Sequence, residues 1–303
     1  MPTPPVPRLG NIATAMITPM TDDFAVDYDG AAELAAHLIA QGNDTLVING
    51  TTGEAPTTTD VEKAEMLRVV RAAVGSEIRI IAGVGTNNTV HTMELAHHAA
   101  AAGADGLLVV TPYYSKPSQA GVLAHFWSVA DSTELPVMLY DIPGRSGIPI
   151  SVDTLLRASE HPRIVAVKDA KGDLAAATAV LRASDLDWYS GDDALNLPLL
   201  SIGAVGFVSV TGHVISPRLK AMRDSFVAGD VSRATEIFFT TEPVSVGLFR
   251  APAVTLTKAA LAMQGLPAGP PRLPLLPATA AELQTLRADL AAAGVDLTAG
   301  EHQ

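Results

Sequence analysis

Lys168 ends the apolar run Ile164-Val165-Ala166-Val167 and is followed at once by Asp169-Ala170-Lys171-Gly172. A run of that kind reads as a strand buried on both faces, as in a parallel sheet covered by helices. A lysine at its end either snorkels to water along its stem or does chemistry. Desolvation and cationic neighbours can lower a lysine pKa from ~10.4 towards ~7–8, leaving a neutral amine that attacks a carbonyl. Such a shift takes about 4 kcal/mol from the surroundings, which a solvated lysine does not receive.

Other chemistry-bearing residues stand in short polar, glycine-rich segments. Asn49-Gly50-Thr51-Thr52-Gly53-Glu54 supplies hydroxyls and unencumbered backbone N–H groups, the means of holding a carboxylate. It also reads as an ordinary turn in which Thr or Glu helps to cap a helix. Tyr140 closes an apolar strand, where its hydroxyl could donate and accept a proton or simply be a hydrogen-bonded core group. Arg145, in the turn Ile142-Pro143-Gly144-Arg145, suits bidentate binding of a carboxylate, or solvation on a loop. Tyr113-Tyr114, within Thr111–Pro117, fits a loop anchor and an oligomer contact equally. His97-His98 are adjacent on a helix and share no face, so they form no metal pair. His125 and His213 are isolated and read as structural, and Asp192-Asp193 as a cap of the next helix.

These segments need positions, and the chain alternates short apolar strands with longer helical patterns. Strands are expected at 12–17, 45–49, 78–82, 106–110, 136–140, 164–168, 186–189 and 205–208. Helices are expected at 28–41, 59–74, 89–102, 118–131, 151–159, 173–183, 194–202 and 216–228. Eight successive β-then-α units predict a parallel sheet closed into a (β/α)8 TIM barrel, whose active residues come from the C-terminal strand ends. The polar segments fall at those ends. A doubly wound open sheet would need a glycine-rich turn after the first strand, where the chain has Thr18-Pro19-Met20-Thr21. Residues 231–248, 252–263 and 279–293 then read as three helices, the last two separated by proline-rich 266–277. The expected organisation is a flexible N-terminal arm at 1–10, a barrel at 11–228 and a C-terminal three-helix extension at 229–303 packed on it.

Composition limits the alternatives. With 303 residues, 48% of them hydrophobic, the chain can fill one large barrel core. A net charge of −12 argues against a nucleic-acid backbone or an anionic membrane as partner. The absence of cysteine excludes disulfides and thiolate chemistry, and is compatible with the reducing cytoplasm. MPTPPVPRLG lacks the apolar core of a signal peptide, and no run approaches the ~18 apolar residues of a membrane span. The expectation is a soluble cytoplasmic protein.

GTTGE at 50–54, TPYYSKP at 111–117, YDIPGR at 140–145, VKDAKGD at 167–173, SGDD at 190–193 and GFVSV at 206–210 occur in this order. Together they resemble the dihydrodipicolinate synthase/N-acetylneuraminate lyase family of class I aldolase-type barrels, from about residue 9 to 293. The resemblance implies that Lys168 forms a Schiff base with pyruvate, with no other cofactor and no metal. It implies Tyr140 as proton shuttle, linked to Thr51 and to Tyr114 from a neighbouring subunit of a homotetramer built as a dimer of dimers. Thr52 and the N–H groups about Gly53 would hold the pyruvate carboxylate, and Gly191 and Val208 would line the lysine pocket. A protonated imine is an electron sink, so a methyl proton of pyruvate becomes removable and the enamine attacks an aldehyde.

Arg145 discriminates within the family. Synthase-like members carry an arginine in this turn and use it for the carboxylate of aspartate 4-semialdehyde, in diaminopimelate and lysine biosynthesis. Aldolases and dehydratases of keto-deoxy sugar acids share the rest of the pattern without it, and make the alternative reading. An idle barrel kept for binding would not need Lys168, Tyr140, Thr51 and Arg145 together. A metal-dependent aldolase would need clustered ligands that the sequence lacks. Lysine-inhibited members place polar residues, commonly histidines, after GTTGE. Lys63 stands in that segment here and disfavours a cationic effector, so weak or absent lysine feedback is expected.

Overall fold

Eight parallel strands close into a barrel in chain order, each hydrogen-bonded to the next and the eighth to the first. They are β1 (Ile12–Ala15), β2 (Thr45–Ile48), β3 (Arg79–Gly83), β4 (Gly106–Val110), β5 (Val137–Asp141), β6 (Ile164–Asp169), β7 (Asp187–Ser190) and β8 (Gly206–Ser209). This is the (β/α)8 TIM barrel that the alternation predicts. The computed structural model describes residues 7–297. Several strands sit one residue downstream of their expected ranges, because parallel pairing, and not the apolar run, sets their ends.

Helices α1 (Tyr28–Ala40), α2 (Asp60–Val74), α3 (Thr89–Ala101) and α4 (Gln119–Ser132) cover the first half of the barrel. A short α5 (Pro143–Ser146), too brief to read from periodicity, precedes α6 (Val152–Ala158), α7 (Leu174–Ala183), α8 (Asn196–Ser201) and α9 (Gly212–Val227). Side-chain caps start most of them: Asp27, Asn88, Ser118, Ser151 and Asp173 accept from first-turn amides, and Thr59 forms a reciprocal box with Glu62. Helix α9 begins four residues before the expected 216. Its first turn is joined to the rest through a kink at Ile215, two residues before Pro217.

The apolar packing has three parts. Ala15, Val47, Ile81, Leu108, Met138, Ala166, Tyr189 and Val208 fill the barrel interior, which is therefore a core and not a pore. A larger cluster packs α1–α4 and α6–α8 against the outside of the strands. A third joins Ile12, Leu200, Phe207 and Leu219 of the barrel to Ile237, Leu248, Leu256 and Leu286 of α10 (Val231–Leu248), α11 (Ala253–Met263) and α12 (Ala280–Ala292). The extension thus shares a core with the barrel. Of the expected N-terminal arm, residues 1–6 lie outside the described residues. Leu9 is buried against the barrel interior and the backbone N–H of Arg8 donates to Asp187. Among the described residues no single helix is long and apolar enough to cross a membrane; α10 and α11 combine that length and apolarity only together, across a 111° bend.

Candidate active site

Tyr140 and Lys168 are paired across β5 and β6 because of a slip in register. The ladder begins at Val137↔Ile164, skips Val165, and continues Met138↔Ala166 to Tyr140↔Lys168. Without the extra residue Tyr140 would stand opposite Val167, whose side chain belongs to the outer layer. Side chains alternate between faces with period two, so one residue decides which neighbour the tyrosine meets. As built, both Val165 and Ala166 turn into the barrel and Lys168 follows at the mouth, its Nζ 4.3 Å from the centre of the Tyr140 ring.

Lys168 is only 4% exposed. Burial pulls its pKa down to about 8, with Arg145 pushing the same way and the carboxylate of Asp193 opposing. A useful share of the amine is therefore neutral near physiological pH. Burial pushes the Tyr140 phenol up to about 12, against the smaller pulls of Arg145 and of a side-chain hydrogen bond with Thr51. Tyr140 thus keeps its proton at rest and has a hydroxyl neighbour through which to relay it.

The loops complete the mouth. Thr52 and Gly53 are buried, and the turn they occupy is closed by Gly53 N–H to Gly50 O at 3.0 Å and Glu54 N–H to Thr51 O at 3.2 Å. Gly191 follows β7, and its N–H donates to Asp169 O at 2.7 Å. A Cβ at this position would lie 2.8 Å from Lys168 Cγ and 2.9 Å from Cε, so the lysine stem runs where only glycine leaves room. Val208, fully buried on β8, belongs to the interior layer that contains Tyr140. Thr51, Tyr140 and Arg145 line a cavity of about 430 Å³ that also reaches Tyr113, Asp60, Lys63 and His91. Lys168 is not in that wall, so a ligand entering from the cavity meets Tyr140 before the amine. Tyr114 is not brought to the others within one chain: it is 89% exposed, with φ +73°.

Some features lay beyond sequence reasoning. The Asp192-Asp193 pair divides its work. Asp192 caps the turn by accepting from Ala194 N–H, whereas buried Asp193 accepts from Ser209 Oγ, Asn196 Nδ2 and the amides of Val210 and Thr211. That ties β8 to the β7 loop beside Lys168, and only the tertiary contacts reveal it. His213 is neutral and structural, donating from Nδ1 to Val210 O and accepting Ile17 N–H at Nε2. His125 is held at Nδ1 by Thr89, and burial lowers its pKa to about 4. Lys63, buried in the cavity wall, donates to Thr58 O, and Asp60 pairs with His91 at 2.9 Å. Among the described residues no group of three or more His, Cys, Asp or Glu is placed to hold a metal ion.

Known proteins share this chain's sequence and fold. The chain is 60% identical to 4-hydroxy-tetrahydrodipicolinate synthase 2 of Streptomyces coelicolor over 295 residues, which is 97% of this chain and 98% of the relative. It superposes on the DHDPS of Cyanidioschyzon merolae, described with lysine bound, with a TM-score of 0.93 at 43% identity, covering 95% of this chain and 99% of that one. The chloride-inhibited dihydrodipicolinate synthase of Acinetobacter baumannii, complexed with pyruvate, gives 0.90 at 34% identity, covering 95% and 100%. Residues 8–293 match the profile of the dihydrodipicolinate synthetase family, and with that span and those identities the chain belongs to it.

Proposed function

We propose that the chain acts as a 4-hydroxy-tetrahydrodipicolinate synthase, a lyase that condenses pyruvate with L-aspartate 4-semialdehyde in diaminopimelate and lysine biosynthesis. The observation that carries the reading is the buried Lys168 amine against the Tyr140 ring, at the mouth of a barrel whose relatives bear that name. Neutral Lys168 attacks the keto carbon of pyruvate and water leaves, giving a protonated imine. Tyr140, connected to Thr51, gives its proton to the departing hydroxyl and, as the phenolate so formed, takes one back from the pyruvate methyl group. The enamine carbon bonds to the aldehyde carbon, whose oxygen is protonated. The amino group of the aldehyde substrate then attacks the imine carbon, closing the ring and releasing Lys168.

Thr52 and the amides about Gly53 hold the pyruvate carboxylate, and Arg145 receives that of the aldehyde substrate. Gly191 and Val208 shape the pocket around the lysine stem. Tyr114 serves the site of a neighbouring subunit in a homotetramer, a role suited to an aromatic side chain held outward by its left-handed backbone. The reaction needs no metal and no cofactor beyond the covalent adduct, and its setting is the cytoplasm.

The test is pyruvate plus aspartate 4-semialdehyde, with the cyclic product coupled to a reductase, alongside borohydride trapping on Lys168. Turnover and trapping that both vanish in Lys168→Ala support the assignment. Trapping with pyruvate but no turnover of this aldehyde would transfer the chain to the keto-deoxy sugar acid reading.

A further inference from the structure

The turn that carries Thr51 and Thr52 is bracketed by two non-glycine residues in the left-handed region, Asn49 at φ +60° and Glu54 at φ +58°. Such residues persist only where their surroundings hold them. For Glu54 the holder comes from the other end of the chain. Its buried carboxylate lies 2.5 Å from Nζ of Lys258, itself buried on α11, and accepts the backbone N–H of Arg272 at 2.8 Å. Lys258 Nζ also donates to Pro270 O at 3.0 Å, so the pair grips the segment between α11 and α12. The Arg272 guanidinium reaches across to Phe24 O, Thr57 O and both oxygens of Glu62. Met20 N–H donates to Ala268 O in the same region, which docks the segment on the β1–α1 loop as well.

A buried ion pair gains little stability over an apolar pair of the same volume, because both charges lose water. Its directional contribution is geometric. Glu54 N–H donates to Thr51 O, so a displacement of Glu54 moves the backbone of the threonine that bonds Tyr140.

We propose that Glu54, clamped by Lys258 and the Arg272 backbone, is a positioning residue for the Thr51–Thr52 turn, and that the C-terminal extension thereby belongs to the keto-acid site. The inference rests on the reading of Lys168, Thr51 and Thr52 as that site.

The experiment compares Glu54→Gln/Lys258→Met, which removes both charges and keeps an acceptor for Arg272 N–H, with Lys258→Met, Lys258→Arg and the wild type. The readouts are pyruvate KM, aldehyde KM, kcat, the rate of borohydride trapping at subsaturating pyruvate, and thermal stability. The double variant should fold with pyruvate KM raised about tenfold or more and trapping slowed in proportion, while aldehyde KM, governed by Arg145, stays within about twofold. Lys258→Arg, which keeps the cation, should recover most of the pyruvate affinity. A folded double variant with wild-type pyruvate KM, whatever its stability, overturns the proposal. Lys258→Met alone strands a buried carboxylate and risks unfolding. A measurement on the wild type therefore stands beside the variants. Saturating pyruvate should slow amide hydrogen exchange in residues 50–55 and 268–272 together, and protection of the turn without the extension would also overturn the clamp. Failure of wild-type Lys168 to trap pyruvate strikes at the site assignment instead, and is recognised before any variant is made.

Discussion

Replacing Lys168 by methionine should abolish the chemistry and make the protein more stable. The lysine amine is buried, with its pKa lowered from 10.5 to about 8 by loss of water. In the unfolded chain the same amine binds its proton up to the ordinary value. Below pH 8 both states are protonated, and folding bears the full cost of burying the charge, about 3 kcal/mol. Between about 8 and 10.5 the unfolded state binds more protons than the folded one, so the cost fades as pH rises. Methionine has nearly the same length and carries no charge. Asp193, the nearby carboxylate, keeps its four donors and is not stranded by the change. Thermal and urea denaturation at neutral pH should show the variant about 3 kcal/mol more stable, or roughly 5 °C higher in Tm. The gap should close towards pH 10.5. A variant less stable than the wild type at neutral pH, or a gap independent of pH, would refute the account of Lys168 as a desolvated amine held at folding's expense.

Three further outcomes are expected. The kcat/KM for pyruvate should rise with pH and level off above about 8, and Arg145→Ala should move the inflection upward, since that charge helps to hold the lysine pKa down; a shift the other way contradicts the electrostatics, and an unchanged aldehyde KM in the same variant contradicts the role of Arg145. Gly191→Ala should leave the fold intact but cut borohydride trapping by about a hundredfold, because the added Cβ collides with the lysine stem and meets Asp169 O at 3.1 Å. Millimolar L-lysine should leave turnover nearly unchanged, because the buried Lys63 ammonium stands in the wall that such a cation would face; clear inhibition at submillimolar lysine would reverse that expectation.

The candidate site residues were legible because their types are costly in their places. A lysine ending a fully apolar strand, a tyrosine doing the same one strand earlier and a Gly-Thr-Thr-Gly turn after the second strand have few reasons to coincide at the same end of one barrel. The role of Asp193 was not legible, since a carboxylate at the start of a helix reads as a cap whether or not it also accepts two amides from the next strand. Nor was the buried pair of Glu54 with Lys258, because Glu54 ends a turn and Lys258 lies mid-helix in an alanine-rich stretch.

The sequence by itself determined the barrel, through eight apolar runs of strand length alternating with helical periods, and it determined which residue types stand at the mouth. Local patterning suffices there, since burial on both faces and capped helices are properties of neighbouring residues. Tertiary structure decided the geometry. The skipped Val165 turns Tyr140 toward Lys168, the glycine at 191 makes room for the lysine stem, and Arg272, 218 positions beyond Glu54, closes the turn that holds Thr51. Each depends on register or on contact between distant segments, and neither is encoded in the spacing of residues along one strand.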